Sequence, residues 1–384
     1  MRIEPVDASD ARAVLRGLRA AVLGAGPAIA LDATGGARPG EVPAGTAVVV
    51  TTSGSTGHPK AVALSRSALT ASALATTARI GSGSWLLALP PGYIAGVQVL
   101  VRALVADREP AILAGSFTPQ AFAAAAGAMA SAEGGVRVPT YTSLVPAQLQ
   151  TLLEAEDAGI RTGLASFEAV LVGGQALPPA VAERAAAVGA RIVRTYGSSE
   201  TSGGCVYDGV PLDGVGVRIA DGEVLLSGPT LADGYLGEPE RTAAVFSRDA
   251  AGVRWYRTGD AGTFDGVLRV TGRLDNVIVS GGINVSLDRV ERVVRALPGL
   301  SQAVVVGVPD ERWGEASVVA IAAADLAARD PGDVLAEVRA AVGSALGAPA
   351  RPRGIHPLPA LPMLASGKPD RAALRIAWGS AARD

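Results

Sequence analysis

Lysine is nearly missing from this chain: of 34 lysine and arginine positions, only Lys60 and Lys368 are lysine. Cysteine is rarer still. Cys205 stands alone, which excludes an internal disulfide framework and points to a reducing compartment. Two histidines, His58 and His356, cannot build a zinc or thiol–histidine cluster with that one thiol. Aromatic residues make up 4% and charged residues 18%, against 49% hydrophobic, a globular rather than a disordered composition. A formal charge of −2 leaves no electrostatic footprint for nucleic acid or anionic membrane, so any anion must be held by a local site. The apolar stretch near residues 20–31 is too short to span a bilayer, and the N-terminus (MRIEPVDASDARAVLRG) mixes acids with arginines. A cytoplasmic protein without membrane insertion is expected. Lysine scarcity also fits nucleotide bias in the gene, since asparagine is equally rare (Asn276 and Asn284). Where lysine persists, however, it is a candidate for work that needs a compact ammonium rather than a planar guanidinium.

At 384 residues the chain favours two domains over one. From residue 46, apolar β-rich runs alternate with alanine-rich helical stretches, the rhythm of a parallel sheet covered by helices. Strands are expected at 46–52, 84–89, 110–113, 136–140, 167–172 and 191–195, with helices at 66–80, 94–106, 119–132, 143–155 and 178–188. After Glu200, VRIADGEVLLSGP and GTFDGVLRVTGR each set Asp-Gly between apolar runs and predict antiparallel hairpins in a β-rich subdomain. Beyond Arg273, helices at 286–297 and about 332–345 and strands at 302–308 and 316–323 predict a small α+β domain. The expected fold class is therefore α/β, with a large domain over 1–274 and a small C-terminal domain over 275–384.

The segment TTSGSTGHPK ends a β run in glycines and hydroxyls, a nest suited to phosphate, and is closed by Lys60. It is not a Walker A motif, because Pro59 precedes the lysine and Ala61 follows it. By itself the loop could equally be a plain strand-to-helix connection. It is followed in order by YGSSET (196–201), YRTGD (256–260), GRLDNVIVSGGINVS (272–286) and SGKPDR (366–371). Together these resemble the core motifs of the acyl-adenylate-forming enzymes, a superfamily of acyl-CoA synthetases, nonribosomal adenylation domains and luciferases. The resemblance covers roughly residues 46–375.

That resemblance implies ATP, Mg²⁺ and coenzyme A as cofactor and cosubstrates, and roles residue by residue. Ser53, Gly54, Ser55, Thr56, Gly57 and Lys60 would cradle the pyrophosphate end of ATP, and Glu200 would bind Mg²⁺. Asp260 would accept hydrogen bonds from the ribose, with Arg273 on ribose or phosphate. Gly173, Gly174 and Gln175 would form the adenine-side loop, with Tyr196 stacking on the base and Gly197, Ser198 and Ser199 continuing the nucleotide site. Lys368 would supply the cation for adenylate formation. The small domain would then swing about Asp275, bringing Ser280, Gly281 and Gly282 to line a coenzyme A tunnel. Taken singly, each residue also has a bland reading as a turn, core or surface position; the five ordered motifs set those aside.

The short segment before the phosphate loop, LPPGYIAGVQVLVRAL (89–104) and YTSLVPAQLQTLL (141–153) are similar to the compact 2-succinylbenzoate:CoA ligases of menaquinone biosynthesis, the MenE type. Tyr93, Thr142, Ser143, Ser202, Gly203 and Gly204 would then surround the acid. Three positions depart from the usual pattern: Tyr93 stands for histidine, Ser199 for threonine, and SLD at 286–288 for a proline- and glutamate-containing run. The expected partners are a small carboxylic acid, ATP and coenzyme A, and a homodimer is compatible with the sequence. Another aryl or medium-chain acid:CoA ligase and a non-catalytic nucleotide-binding protein remain the alternative readings.

Overall fold

A computed structural model describes residues 1–31, 41–52, 60–129, 131–326, 329–364 and 367–381. Ser53, Gly54, Ser55, Thr56 and Gly57 lie outside the described residues. The run Thr46–Thr52 is buried through its first five positions, which suits a central strand covered on both faces. It lies in a five-stranded sheet in the order Ile3–Val6, Ala28–Leu31, Thr46–Thr52, Lys60–Ser65 and Gly234–Tyr235, the first three parallel and the last two antiparallel. A seven-stranded sheet runs Val210–Pro211, Gly203–Tyr207, Ile192–Ser198, Ala169–Val172, Thr140–Leu144, Ser84–Leu87 and Ala111–Ile112, parallel from Ile192–Ser198 onward. One hydrophobic core joins Val48 and Leu64 of the first sheet to Trp85 and Leu87 of the second through Leu69 of helix Arg66–Ile80 and Val97 and Leu100 of helix Ile94–Val105.

The β-rich subdomain is an antiparallel sheet of Gly216–Ala220, Glu223–Ser227, Arg254–Phe264 and Phe246–Arg248, with Leu268–Arg273 paired to Arg254–Phe264. Asp221 and Gly222 both take positive φ, +52° and +79°, as a tight hairpin turn of right-handed twist requires. The C-terminal sheet runs Ile283–Ser286, Val277–Ser280, Gly314–Ala322 and Val304–Asp310, with Gly354–Leu358 parallel to Gly314–Ala322. Its period-two pattern sorts two cores. Val305 and Val319 meet helices Leu287–Arg295 and Pro331–Leu346, while Val304, Val306 and Val318 meet Leu374 of helix Arg371–Ala381. Among the described residues no helix is long and apolar enough to cross a membrane.

The expected α/β architecture holds, with differences at particular elements. The predicted helix 119–132 ends at Gly127, and residues 132–137 instead form a small hairpin, Ala132–Glu133 with Val136–Arg137, turned by Gly134 and Gly135 at positive φ. The strand expected at 136–140 is displaced to Thr140–Leu144, and the following helix starts at Pro146 rather than 143. Proline is favoured in a first helical turn, where its missing N–H is no loss. Helix Ala11–Leu23 and its flanking strands were not anticipated, although Asp10 caps its start and Gly24 ends it in the left-handed region.

Candidate active site

Strand Ile192–Ser198 runs straight into the short helical turn Ser199–Thr201. Gly197 makes this possible: a Cβ there would lie 2.1 Å from the Gly203 carbonyl oxygen. Ser202 follows in the left-handed region at φ +54°, uncommon for serine, and is held by its hydroxyl donating to the Thr230 carbonyl at 2.8 Å and its N–H to the Ser199 carbonyl at 3.1 Å. The turn buries Glu200, whose Oε1 accepts from the Tyr235 hydroxyl at 2.9 Å. Burial, then the neighbouring carboxylate, push the Tyr235 phenol above its ordinary range, which keeps it a donor. The Lys60 ammonium sits 5.2 Å from the centre of the same ring. Lys60 and Glu200, 140 positions apart in sequence numbering, thus flank one tyrosine.

A second cluster forms where Arg254–Phe264 meets Leu268–Arg273. Asp260 accepts from the Tyr196 hydroxyl at 2.5 Å and lies 3.3 Å from Arg273 Nη1. Burial pushes the Asp260 carboxyl up, opposed by Tyr196 and Arg273, while burial and Asp260 push the Tyr196 phenol up. Arg273 also grips Asp275 with both fork nitrogens, Nε to Oδ1 and Nη2 to Oδ2, each at 2.9 Å. That pairing raises the guanidinium and holds the Asp275 carboxyl below its usual range, with Lys60 contributing to the latter. Asp288 steadies the same connection by accepting from the Arg273 N–H and from Asn276 Nδ2, both at 2.7 Å. The unusual SLD run therefore ties helix Leu287–Arg295 to this segment.

The Lys368 loop reaches the cleft between these clusters. It is closed by the Leu364 N–H donating to the Lys368 carbonyl at 2.8 Å and by Gly367 at φ +76°. Gln175 Nε2 donates to the Gly367 carbonyl at 3.2 Å, and a Cβ on Gly174 would come within 3.9 Å of Lys368 Cε. Lys368 retains solvent-exposed surface while the surrounding walls crowd it. That crowding lowers its ammonium's pKa; Glu200 and Asp260 oppose the shift, and Arg273 reinforces it. The cleft thus gathers Lys60, Glu200, Asp260, Arg273 and Lys368.

Other expected residues fall into two groups. Tyr93 immediately precedes helix Ile94–Val105, and a Cβ on Gly203 would lie 3.8 Å from Ile94 in that helix. Gly203 and Gly204 lie on the strand paired with Tyr196 to Ser198. Thr142 is fully buried, its hydroxyl donating to the Leu86 carbonyl at 3.0 Å, and Ser143 is buried beside it. Ser280, Gly281 and Gly282 sit at the tip of the Val277–Ser280/Ile283–Ser286 hairpin, where a Cβ on Gly281 would meet Trp313 at 2.7 Å. Gly173 packs against Thr195, which leaves no room for a side chain. Three supporting residues escaped the sequence reading. Tyr235 holds Glu200, Thr258 accepts from the Asp260 N–H at 3.0 Å, and buried Glu223 accepts from the Gly259 N–H at 2.9 Å. Each belongs to a motif arm distant in sequence from its partner or carries an ordinary strand residue's signature.

Among the described residues no three His, Cys, Asp or Glu side chains converge as a metal cage. The donor set fits Mg²⁺ all the same, since that ion commonly takes one carboxylate together with substrate phosphates and water.

Models of the AMP-binding enzyme family match residues 19–236, and of the AMP-binding enzyme C-terminal domain residues 289–368. A probable 2-succinylbenzoate–CoA ligase from Mycobacterium tuberculosis is 43% identical over 336 residues, spanning 85% of this chain and 83% of that protein. The o-succinylbenzoate CoA synthetase (MenE) of Bacillus subtilis, solved with its acyl-adenylate intermediate, superposes with a TM-score of 0.69 at 26% identity, covering 86% of this chain and 69% of the other. The amide bond synthetase McbA of Marinactinospora thermotolerans gives 0.73 at 31% identity, covering 92% and 75%. The chain belongs to the AMP-binding enzyme family. Within it, it is an acid–CoA ligase of the MenE type, using ATP, Mg²⁺ and coenzyme A.

Proposed function

We propose that the acid this ligase activates is 2-succinylbenzoate, giving 2-succinylbenzoyl-CoA, AMP and diphosphate in menaquinone biosynthesis in the cytoplasm. The observation that carries the mechanism is the docking of the Lys368 loop against Gly174 and Gln175, where Glu200, Asp260 and Arg273 act electrostatically on its ammonium. An oxygen of the substrate's aliphatic carboxylate attacks the α-phosphorus of ATP. The bond to the bridging oxygen breaks, and diphosphate leaves. Negative charge gathers on the non-bridging and departing oxygens, where a positioned ammonium stabilises the transition state more than the ground state. Lys368 is that ammonium. Lys60, with residues 53–57, holds the phosphates, Asp260 and Tyr196 fix the ribose and base, and Glu200 would hold Mg²⁺, which would neutralise phosphate charge when bound. The thiol sulfur then attacks the adenylate carbonyl and AMP departs, after the 275–384 domain has turned about Asp275 and withdrawn the lysine from the path.

The choice of acid is supported by the 43% identity to the M. tuberculosis protein across most of both chains. It is tested by diphosphate release across a panel of carboxylic acids. The expected result is release dependent on 2-succinylbenzoate, with AMP release only once coenzyme A is added. Preference for another aryl or a medium-chain acid, or transfer of the acyl group to an amine in place of the thiol as AMP leaves, would refute the assignment.

A further inference from the structure

Helix Pro146–Glu154 buries Pro146, Leu149, Leu152 and Leu153, which leaves its opposite face to polar side chains. Its start is tied to the parallel sheet. The Val145 N–H donates to Gln148 Oε1 at 3.1 Å, and Gln148 Nε2 donates to the Ala88 carbonyl at 2.9 Å. A Cβ on Gly367 would lie 3.2 Å from Val145 Cγ2, so the Lys368 loop rests against the residue that opens this helix.

One turn apart on the polar face stand Gln150 and Glu154, with Gln150 Nε2 donating to Glu154 Oε1 at 2.6 Å. An ionised carboxylate only accepts, so this bond fixes the amide with its oxygen turned away from Glu154. Two donors meet that oxygen: Ser301 Oγ at 3.4 Å and Gln302 Nε2, 151 and 152 positions further along the chain. A surface glutamine satisfied by solvent needs neither. From Gln302 to Lys368 the path is packed. Leu300 and Ala303 flank the Ser301–Gln302 turn and are buried in the core with Val305 and Val319. Strand Val304–Asp310 follows, and its Val304 and Val306 pack with Leu374 of helix Arg371–Ala381, which begins just after Lys368. Close packing passes a displacement at Gln302 on to that helix rather than absorbing it.

We infer that Gln150 is a positioning residue for Lys368: its amide oxygen holds the Ser301–Gln302 turn, and through it the lysine loop, in the pose that forms the adenylate. This rests on the proposed swing about Asp275. The test measures the two half-reactions separately in Gln150→Ala, Gln302→Ala and the double variant, with Lys368→Ala alongside. Each single variant should lower kcat for diphosphate release about fivefold, the factor one net hydrogen bond contributes. Thioester formation from preformed adenylate should keep the wild-type rate or exceed it, because the same contact must part for that step. The double variant should be no slower than Gln150→Ala alone, which has already removed the shared acceptor. Equal loss in both half-reactions, the mark of a damaged helix, overturns the proposal. So does diphosphate release at the wild-type rate, or losses that multiply in the double variant. If Lys368→Ala separates the half-reactions and Gln150→Ala does not, only the positioning role falls; if neither does, the swing falls and this inference with it.

Discussion

Lys368 shows how one residue's chemistry depends on what surrounds it. Crowding by the cleft pulls its ammonium below the ordinary lysine range, and Arg273 pulls the same way; Glu200 and Asp260 resist. A lowered pKa in a base means the proton is lost at a lower pH than in free lysine. On the proposed mechanism adenylate formation uses the protonated form, so its kcat/KM should fall as pH rises through that value, below the usual lysine titration. In Lys368→Arg the guanidinium holds its proton throughout, and whatever activity remains should lack this alkaline limb. A pH profile of diphosphate release checks both. An alkaline limb of unchanged position in Lys368→Arg would assign the titration to another group. The scarcity of lysine was the readable sign of this residue, while the loop's docking against Gly174 and Gln175 was not, because it joins segments nearly 200 positions apart.

At the scale of elements, the Glu200 turn owes its shape to neighbours more than to its own sequence. Gly197 permits the close approach of strands, the Glu200 carbonyl accepts from the Ala232 N–H at 2.8 Å, and Tyr235 on the last strand of the first sheet holds the carboxylate. Removing the hydroxyl in Tyr235→Phe keeps the ring and its packing while freeing Glu200 Oε1. A hydrogen bond to a charged group contributes about 1.5–3 kcal/mol. Adenylation should therefore drop about 10-fold or more at limiting Mg²⁺, with partial recovery as Mg²⁺ is raised, as titration of diphosphate release against Mg²⁺ would show. An unchanged Mg²⁺ dependence would separate Tyr235 from the metal-binding role. Elements with strong local signals were legible: helix Arg66–Ile80 has the limits its sequence predicts, and both Asp-Gly hairpins form. Those set by tertiary pairing were not. Alanine-rich 119–132 reads as one helix, yet it ends early because Gly134 and Gly135 turn the chain into a hairpin. Glu223 looks like an ordinary strand residue, and only the register of Glu223–Ser227 against Arg254–Phe264 brings its carboxylate to the Gly259 N–H beside Asp260, whereas Thr258 supports Asp260 locally from two residues away.

For the molecule as a whole, polar contacts among the described residues join the segment after Asp275 to the rest of the chain. Gln175 meets the Gly367 carbonyl, Ser301 Oγ donates to Gln150 Oε1 at 3.4 Å, and Gln302 donates to the same oxygen. Asp325 faces Glu154 across the same contact, and burial together with that like charge raises its carboxyl. Polar contacts of this kind would part readily in the proposed swing about Asp275. The surroundings lower the ammonium's pKa, and on the proposed mechanism nucleotide phosphates would oppose that shift. The most direct test is the two half-reactions of Lys368→Ala measured separately: diphosphate release from acid plus ATP, and CoA thioester formation from preformed adenylate. A travelling lysine predicts that the first falls at least 100-fold while the second stays within a few-fold of wild type. Diphosphate release at the wild-type rate, or equal loss in both half-reactions, would contradict it.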